Sequence, residues 1–233
     1  MKNVLITGGA SGLGKEILEI FSAKYDKVFF TYYNSNETAK NLEKKFNNAK
    51  GFYCDFTNLE NVNSFSNIVE GLNIDILINN AICYFSQKHF VKSNPDIFLN
   101  SFKHNVLSTL IITQSCLKSM KKTKCGRIIN VLSNYMENPP IGFSEYAANK
   151  QYILSMSNSW AIENKKFNIS SNCISPSFML TGLTKSTDPR SIEILKENAS
   201  ENSFVSTKEV ASMILHMSMQ SMHLNKSNIV LKD

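Results

Sequence analysis

Tyr146 and Lys150 stand four residues apart in Tyr-Ala-Ala-Asn-Lys, inside an apolar segment whose spacing predicts a helix over about Glu145–Ile162. At ~3.6 residues per turn, residues four apart share a helix face, with Cβ atoms ~5–6 Å apart. One phenol and one ammonium therefore project the same way from a rigid element. A free phenol, with a pKa of ~10, gives up its proton poorly near neutrality. A fixed cation beside it favours the phenolate and is expected to lower that value. A change of ~2–3 pH units takes roughly 3–4 kcal/mol. It would bring the phenol near the working pH, where a general acid or base is most useful. The same pair is common on ordinary surface helices, so the surrounding elements decide what it does.

Those elements alternate. Val4-Leu5-Ile6 has strand character and runs into Thr7-Gly8-Gly9-Ala10-Ser11-Gly12-Leu13-Gly14, after which Ile17, Leu18, Ile20 and Phe21 recur at helical spacing. Strand, glycine-rich turn and helix form the context of a dinucleotide site. Glycines let the backbone approach a pyrophosphate, and the helix start offers N–H groups and positive dipole. Lys27–Thr31 reads as the second strand and Asn36–Phe46 as a polar helix. Between them lies Thr31-Tyr32-Tyr33-Asn34-Ser35-Asn36, with no carboxylate before Glu37. A carboxylate there would hold a ribose hydroxyl and repel a 2′-phosphate. Its absence favours NADP weakly over NAD, since no arginine is there to grip the phosphate either.

Phe52-Tyr53-Cys54 reads as a third strand ending at Asp55, which could accept from an adenine amino group or cap the helix expected over Asn58–Val69. The fourth strand, Ile74–Ile78, is apolar enough to be buried on both faces and ends in Asn79-Asn80-Ala81-Ile82. Amides at such a tip can satisfy backbone groups or meet a ligand beyond the strand's carboxyl end. A long helical pattern from Asp96 to Met120, broken once, contains Asn105. Arg127–Leu132 is the fifth strand, with Ser133 at its tip as turn former or reactive hydroxyl. Ile169–Ile174 is the sixth, followed by Pro176-Ser177-Phe178-Met179-Leu180-Thr181. Residues 182–206, with a helix expected near Ile192–Asn198, have the polar, mixed composition of a substrate lid. Lys208–Met219 and Asn228–Leu231 are the last helix and strand. Alternation throughout 233 residues implies one α/β domain over 1–233, a doubly wound parallel Rossmann-type sheet of about seven strands with helices on both faces.

Composition narrows the function classes. No run approaches the ~18–20 apolar residues of a membrane span, and the N-terminal apolar run is too short for a signal peptide. A soluble, cytoplasmic protein is expected. Five scattered cysteines without a Cys-x-x-Cys pair argue against a disulfide framework or a zinc site. The net charge is +6, with a cluster at Lys118, Lys121, Lys122, Lys124 and Arg127. That cluster reads as a cationic helix end or as a landing patch for an acidic carrier. No aromatic platform accompanies it, which disfavours nucleic acid. No Gly-x-Ser-x-Gly elbow is present, and His89, His104, His216 and His223 form no pattern that marks a base, so a serine hydrolase is disfavoured.

Taken in order, these motifs resemble the short-chain dehydrogenase/reductase family almost end to end, in its shorter branch rather than the longer extended one. Residues 7–14 resemble its Thr-Gly-x-x-x-Gly-x-Gly turn, Asn79-Asn80-Ala81 its Asn-Asn-Ala-Gly motif, and 176–181 its Pro-Gly-x-x-x-Thr segment. Asn105, Ser133, Tyr146 and Lys150 match its catalytic four in order and approximate spacing. The resemblance implies Tyr146 as general acid for carbonyl reduction and Lys150 as the group that lowers its pKa and bonds the nicotinamide ribose. It implies Ser133 on the substrate oxygen, and Asn105 holding a water that links Lys150 to solvent. It implies cofactor contacts from Gly8, Ser11, Gly12, Leu13, Gly14, Tyr33, Asn34, Asp55, Phe56, Asn79, Ala81, Tyr146, Lys150, Pro176, Met179 and Thr181. Ile82 and Ser177 replace motif glycines, and the glycine pair that commonly follows the last strand is missing.

The implied activity is hydride transfer between NADP or NAD and a small ketone or secondary alcohol. A 3-oxoacyl thioester on an acidic carrier protein is the leading substrate, with a sugar or other polar ketone next. A non-catalytic NAD(P)H-binding regulator or scaffold is the reading from a different class. The helices containing Asn105 and Tyr146 are expected to build a homotetramer or homodimer.

Overall fold

The computed structural model describes residues 2–83, 87–177, 179 and 205–231. Seven parallel strands form one sheet: β1 Asn3–Ile6, β2 Lys27–Tyr32, β3 Ala49–Tyr53, β4 Ile76–Asn79, β5 Gly126–Val131, β6 Ile169–Pro176 and β7 Asn228–Leu231. Their spatial order is β3-β2-β1-β4-β5-β6-β7. The chain winds outward from β1 in one direction and from β4 in the other, so the order reverses between these two strands. Ligands of such sheets bind at that reversal, outside the carboxyl ends. The doubly wound architecture expected from the alternating pattern is the one observed.

Both sheet faces are covered, which is why the strands read as continuous apolar runs. In β1, Val4 and Ile6 pack with Ile17, Leu18 and Phe21 of α1 (Gly12–Ser22) and Val210 and Ile214 of α7 (Thr207–Met219). Leu5 points to the other face, among Val62 and Phe65 of α3 (Leu59–Gly71), Ile112, Cys116 and Met120 of α5 (Ser108–Thr123), and Trp160 of α6 (Ser144–Glu163). The remaining helices are α2 (Asn36–Lys45) and α4 (Pro95–Ser101). Between α4 and α5 the chain passes through a π-helical stretch, Phe102–Leu107, with Asn105 inside it. This is the single break expected in the long helix, and such bulges gather at functional positions. The expected lid, its helix near 192–198, and Thr181 lie outside the described residues.

The lysine cluster falls where a helix end wants positive charge. α5 closes on Lys121 and Lys122, and Lys124 takes the left-handed turn into β5. Lys118 pairs with Glu70, and Arg127 donates from Nε to the Gln220 carbonyl at 3.0 Å. This edge carries the amino ends of the strands, opposite the edge where the sheet order makes its crevice.

Candidate active site

The turn between β1 and α1 needs glycine at particular positions. Gly8 has φ +68° and Gly12 φ +48°, in the left-handed region that glycine occupies freely. A Cβ on Gly14 would lie 2.0 Å from the Gly8 carbonyl oxygen and 2.8 Å from Asn80 Nδ2. Ser11 is the N-cap of α1 but its side chain makes no capping bond, and no acid occupies the first turn. The first N–H groups of α1 therefore face the turn with their positive dipole unanswered by the protein's own side chains. A pyrophosphate fits that cradle.

From this turn a cleft of about 500 Å³ runs along the carboxyl edge of the sheet. It is lined by Gly8, Ser11, Gly12, Leu13 and Gly14 at its floor and by Tyr33, Asn34, Asp55 and Phe56 at the β2–β3 end. Ala81, Tyr146, Lys150 and Met179 line the other end. Thirteen expected cofactor contacts thus share one cleft. Asp55 does not cap α3. Asn58 does that, accepting from the Glu60 and Asn61 amides, while Asp55 Oδ1 accepts from Thr57 N–H and Oγ1–H at the cleft wall. Asp55 and Lys150 are the only charged residues among the described lining.

Two expected contacts sit elsewhere. Pro176 is the last residue of β6, paired in register with Leu231 and buried. Asn79 is a β4 residue whose side chain turns away from the cleft and donates to Asn130 Oδ1 (2.8 Å) and Thr113 Oγ1 (3.1 Å). Its neighbour Asn80, absent from the expected set, faces the cleft instead. Asn80 Nδ2 donates to the carbonyls of Thr7 (2.9 Å) and Gly8 (3.2 Å), pinning the glycine turn to β4. Side chains alternate along a strand, so two adjacent amides cannot serve the same face. Thr31, Tyr32 and Cys54 also line the cleft without having been singled out. Thr31 had a detectable signal as the last expected strand residue, and its Oγ1 accepts the Gly8 N–H at 2.9 Å.

The phenol–ammonium pair opens onto this cleft. α6 presents Tyr146 and Lys150 on one face, with Lys150 Nζ 5.8 Å from the centre of the Tyr146 ring. Lys150 Nζ donates to the Val131 carbonyl at 2.8 Å, which ties α6 to the end of β5. Ser133, just past β5, hydrogen-bonds the Tyr146 phenol and accepts from Tyr135 N–H at 3.2 Å. The electrostatics differ from the expectation. Burial pushes the Tyr146 phenol up from its ordinary value, with the Ser133 hydrogen bond pulling the other way. Burial also brings the Lys150 ammonium down to about 8, offset in part by Cys173. Stripping water from both groups disfavours both charged forms, because neither keeps its hydration.

Behind the pair lies a smaller cavity of about 30 Å³, bounded by Asn79, Ser101, Asn105, Tyr146, Asn149 and Lys150 among others. Asn105 is partly buried. Its Oδ1 accepts the Cys83 N–H at 2.7 Å, and its Nδ2 donates to the carbonyl (3.2 Å) and hydroxyl (3.3 Å) of Ser101.

A sequence model of the short chain dehydrogenase family matches residues 2–192. The chain belongs to that family. Short chain dehydrogenases are NAD(P)-dependent oxidoreductases acting on CH–OH groups, and this chain is one of them. It is 28% identical over 222 residues to the 3-oxoacyl-[acyl-carrier-protein] reductase of Aquifex aeolicus, covering 91% of this chain and 88% of that one. It is 29% identical over 203 residues to 2-dehydro-3-deoxy-D-gluconate 5-dehydrogenase of Bacillus subtilis, covering 84% and 79%. A solved structure described as ElxO with NADP bound superposes with a TM-score of 0.85 at 25% identity, covering 99% of this chain and 96% of that one. Among the described residues no helix is long and apolar enough to cross a membrane.

Proposed function

We propose that this short chain dehydrogenase interconverts a ketone and a secondary alcohol, with a 3-oxoacyl thioester as the leading substrate class. The observation that carries the reaction is the placement of Tyr146, bonded by Ser133 and beside Lys150, at the end of the cleft whose other end is the glycine cradle. NADP or NAD supplies or takes up the hydride when bound. Gly8, Ser11, Gly12, Leu13 and Gly14 hold its phosphates on the start of α1. Asp55 and Phe56 meet the adenine, and Tyr33 and Asn34 the adenosine ribose. Lys150 and Ala81 lie towards the nicotinamide end, and Met179 closes that side.

Tyr146 gives its proton to the carbonyl oxygen as the carbon is reduced, and takes it back in the reverse direction. Its raised pKa keeps the phenol protonated at neutral pH, which suits donation. Ser133 orients that phenol and offers a second hydrogen bond to the substrate oxygen. Lys150 stabilises the phenolate left after transfer, a charge that burial otherwise makes costly. The chain's contribution is thus placement and electrostatic compensation around a developing charge.

The thioester reading is supported by the relatives named as 3-oxoacyl-[acyl-carrier-protein] reductases. The lysine cluster adds nothing to it, because it lies at the opposite edge of the sheet. The sugar-ketone reading draws on the similarity to 2-dehydro-3-deoxy-D-gluconate 5-dehydrogenase. NADP is favoured over NAD because Tyr32, Tyr33, Asn34 and Ser35 bring no carboxylate to the ribose end of the cleft. A homotetramer or homodimer built through α4–α6 is in keeping with the half-exposed Leu99 and Tyr152 there. A panel of acyl thioesters and sugar ketones, followed by loss of NADPH absorbance, tests the reaction. Turnover of the thioesters alone is the expected result. No oxidation of NADPH by any ketone would overturn it.

A further inference from the structure

Single apolar side chains scattered on a surface need no explanation, but a contiguous group of them does. Among the described residues the three most exposed large apolar side chains are Val91 (88%), Ile141 (74%) and Phe90 (73%). They come together from two loops. Phe90 and Val91 lie between β4 and α4, and Ile141 lies between β5 and α6. The loops are joined where Lys88 N–H donates to the Gly142 carbonyl at 3.2 Å. Gly142 has φ +87°, and a Cβ on it would lie 3.1 Å from Lys88 N, so the crossing favours glycine. Phe90 is propped on α4 by an edge-on contact with Phe98, with ring centres 5.8 Å apart.

The turn that carries Phe90 and Val91 meets part of its own backbone hydrogen bonding. Lys92 N–H donates to the His89 carbonyl at 2.9 Å and Ser93 N–H to the Phe90 carbonyl at 3.0 Å. Moving it out of bulk water therefore strands fewer backbone groups. Lys88 and Lys92 flank the apolar pair, both exposed, and among the described residues neither is in an ion pair. The acids on the two loops and the start of α4 are Asp96 and Glu137. An apolar tip with lysines beside it matches the boundary of a bilayer with anionic headgroups. Acyl chains take the apolar side chains there, and long lysine stems let the ammonium groups reach the phosphates. A second copy of the chain fits less well, because a two-fold contact centred on this patch sets Lys88 and Lys92 against their own copies. Both loops leave the carboxyl ends of their strands, the edge that carries the cleft. Phe143, two residues after Ile141, has its ring centre 6.0 Å from that of Tyr146.

We propose that Phe90, Val91 and Ile141 enter the interfacial layer of an anionic lipid bilayer, with Lys88 and Lys92 among its headgroups. The protein then lies on the membrane without spanning it, and the Tyr146 end of the cleft opens beside the lipid surface. The proposal does not depend on which ketone is reduced.

Co-sedimentation of the full chain with lipid vesicles tests it. Wild type is expected to bind vesicles of equal parts phosphatidylglycerol and phosphatidylcholine, and to bind pure phosphatidylcholine about tenfold more weakly or less. Phe90→Ser with Ile141→Ser is expected to weaken binding to the anionic vesicles about tenfold or more. Lys88→Glu with Lys92→Glu is expected to do the same. Lys121→Glu with Lys122→Glu changes the net charge equally but at the opposite edge of the sheet, and is expected to stay within about threefold of wild type. Every variant is expected to keep the wild-type melting curve by circular dichroism and the wild-type mass by light scattering. Wild type that stays in solution with the anionic vesicles overturns the proposal. So does equal binding to both kinds of vesicle, unchanged binding by the apolar variant, or an equal loss from the reversal at 121 and 122. A fall in oligomer mass in the apolar variant overturns it too, because the patch would then be a contact between copies. If that variant does not fold, the two lysine pairs and the two vesicle compositions decide.

Discussion

Replacing Lys150 by methionine removes a buried charge, and its effect on stability should depend on pH in a way the structure specifies. Burial lowers the ammonium from its ordinary 10.5 to about 8. At ~1.36 kcal/mol for each tenfold, holding that charge at pH 7 costs the folded protein about 3 kcal/mol. Between pH 8 and 10.5 the unfolded chain binds the proton more tightly than the folded one, so stability rises with pH through that window. By pH 9 the remaining cost is about 2 kcal/mol, because the folded lysine is by then mostly neutral and the unfolded one mostly charged. Lys150→Met removes the whole term, and also the hydrogen bond to Val131, worth about 1 kcal/mol at either pH. The variant is therefore expected to be more stable than wild type by about 2 kcal/mol at pH 7 and by about 1 kcal/mol at pH 9. Cys173, pushed up to about 11, and the raised Tyr146 are present in both proteins, so their titration largely cancels in the difference. Urea unfolding of the ligand-free proteins at the two pH values, at fixed ionic strength, reads this directly. The gap in midpoint should narrow by roughly 0.4 M for an m-value of about 3 kcal/mol/M. A gap that does not change with pH would show that Lys150 titrates near its ordinary value, and the desolvation argument would be wrong.

Other expectations follow from single contacts. Gly14→Ala places a Cβ 2.0 Å from a backbone oxygen that cannot swing away. It should lose about 1–3 kcal/mol or more, a fall in Tm of at least ~2 °C, and should lose the Tm rise given by NADPH. Wild-type values for both would refute the close approach. Tyr146→Phe should cut turnover at least ~100-fold while NADPH still quenches protein fluorescence, and retained turnover would reject the phenol as proton donor. NADPH should raise Tm more than equimolar NADH, whereas equal or reversed effects would defeat the ribose-end argument. Light scattering at micromolar concentration should give a dimer or tetramer, and a monomer would count against assembly through α4–α6.

What the sequence reveals and what it hides divide along a physical line. Val4-Leu5-Ile6 and Ile76-Leu77-Ile78 betray a sheet buried on both faces because local composition alone records that burial. Gly8, Gly12 and Gly14 are equally plain, since a left-handed backbone at the first two and a close backbone approach at the third both favour glycine. Properties that depend on which way one residue faces, or on how much water it loses, are not written locally. β4 continues to Asn79, one residue beyond the apolar run, and that single step turns Asn79 inward and hands the cleft to Asn80. The Tyr146–Lys150 spacing gives neighbourhood but not dielectric. A cation four residues away suggests a more acidic phenol. With α6 packed over β5 and β6, both groups lose their hydration and shift towards their neutral forms. The lysines at the end of α5 mislead for the same reason: charge is visible in the chain, but the edge of the sheet it decorates is set by strand direction. The pair's chemistry therefore depends less on mutual attraction than on what compensates a charge formed in a dry place. The contacts available for that are Ser133 on the phenol, Val131 on the ammonium, and the cavity that Asn79 borders. A phenolate formed there would be costly without them, so the packing of α6 on the ends of β5 and β6 matters to the reaction as much as the four-residue spacing does.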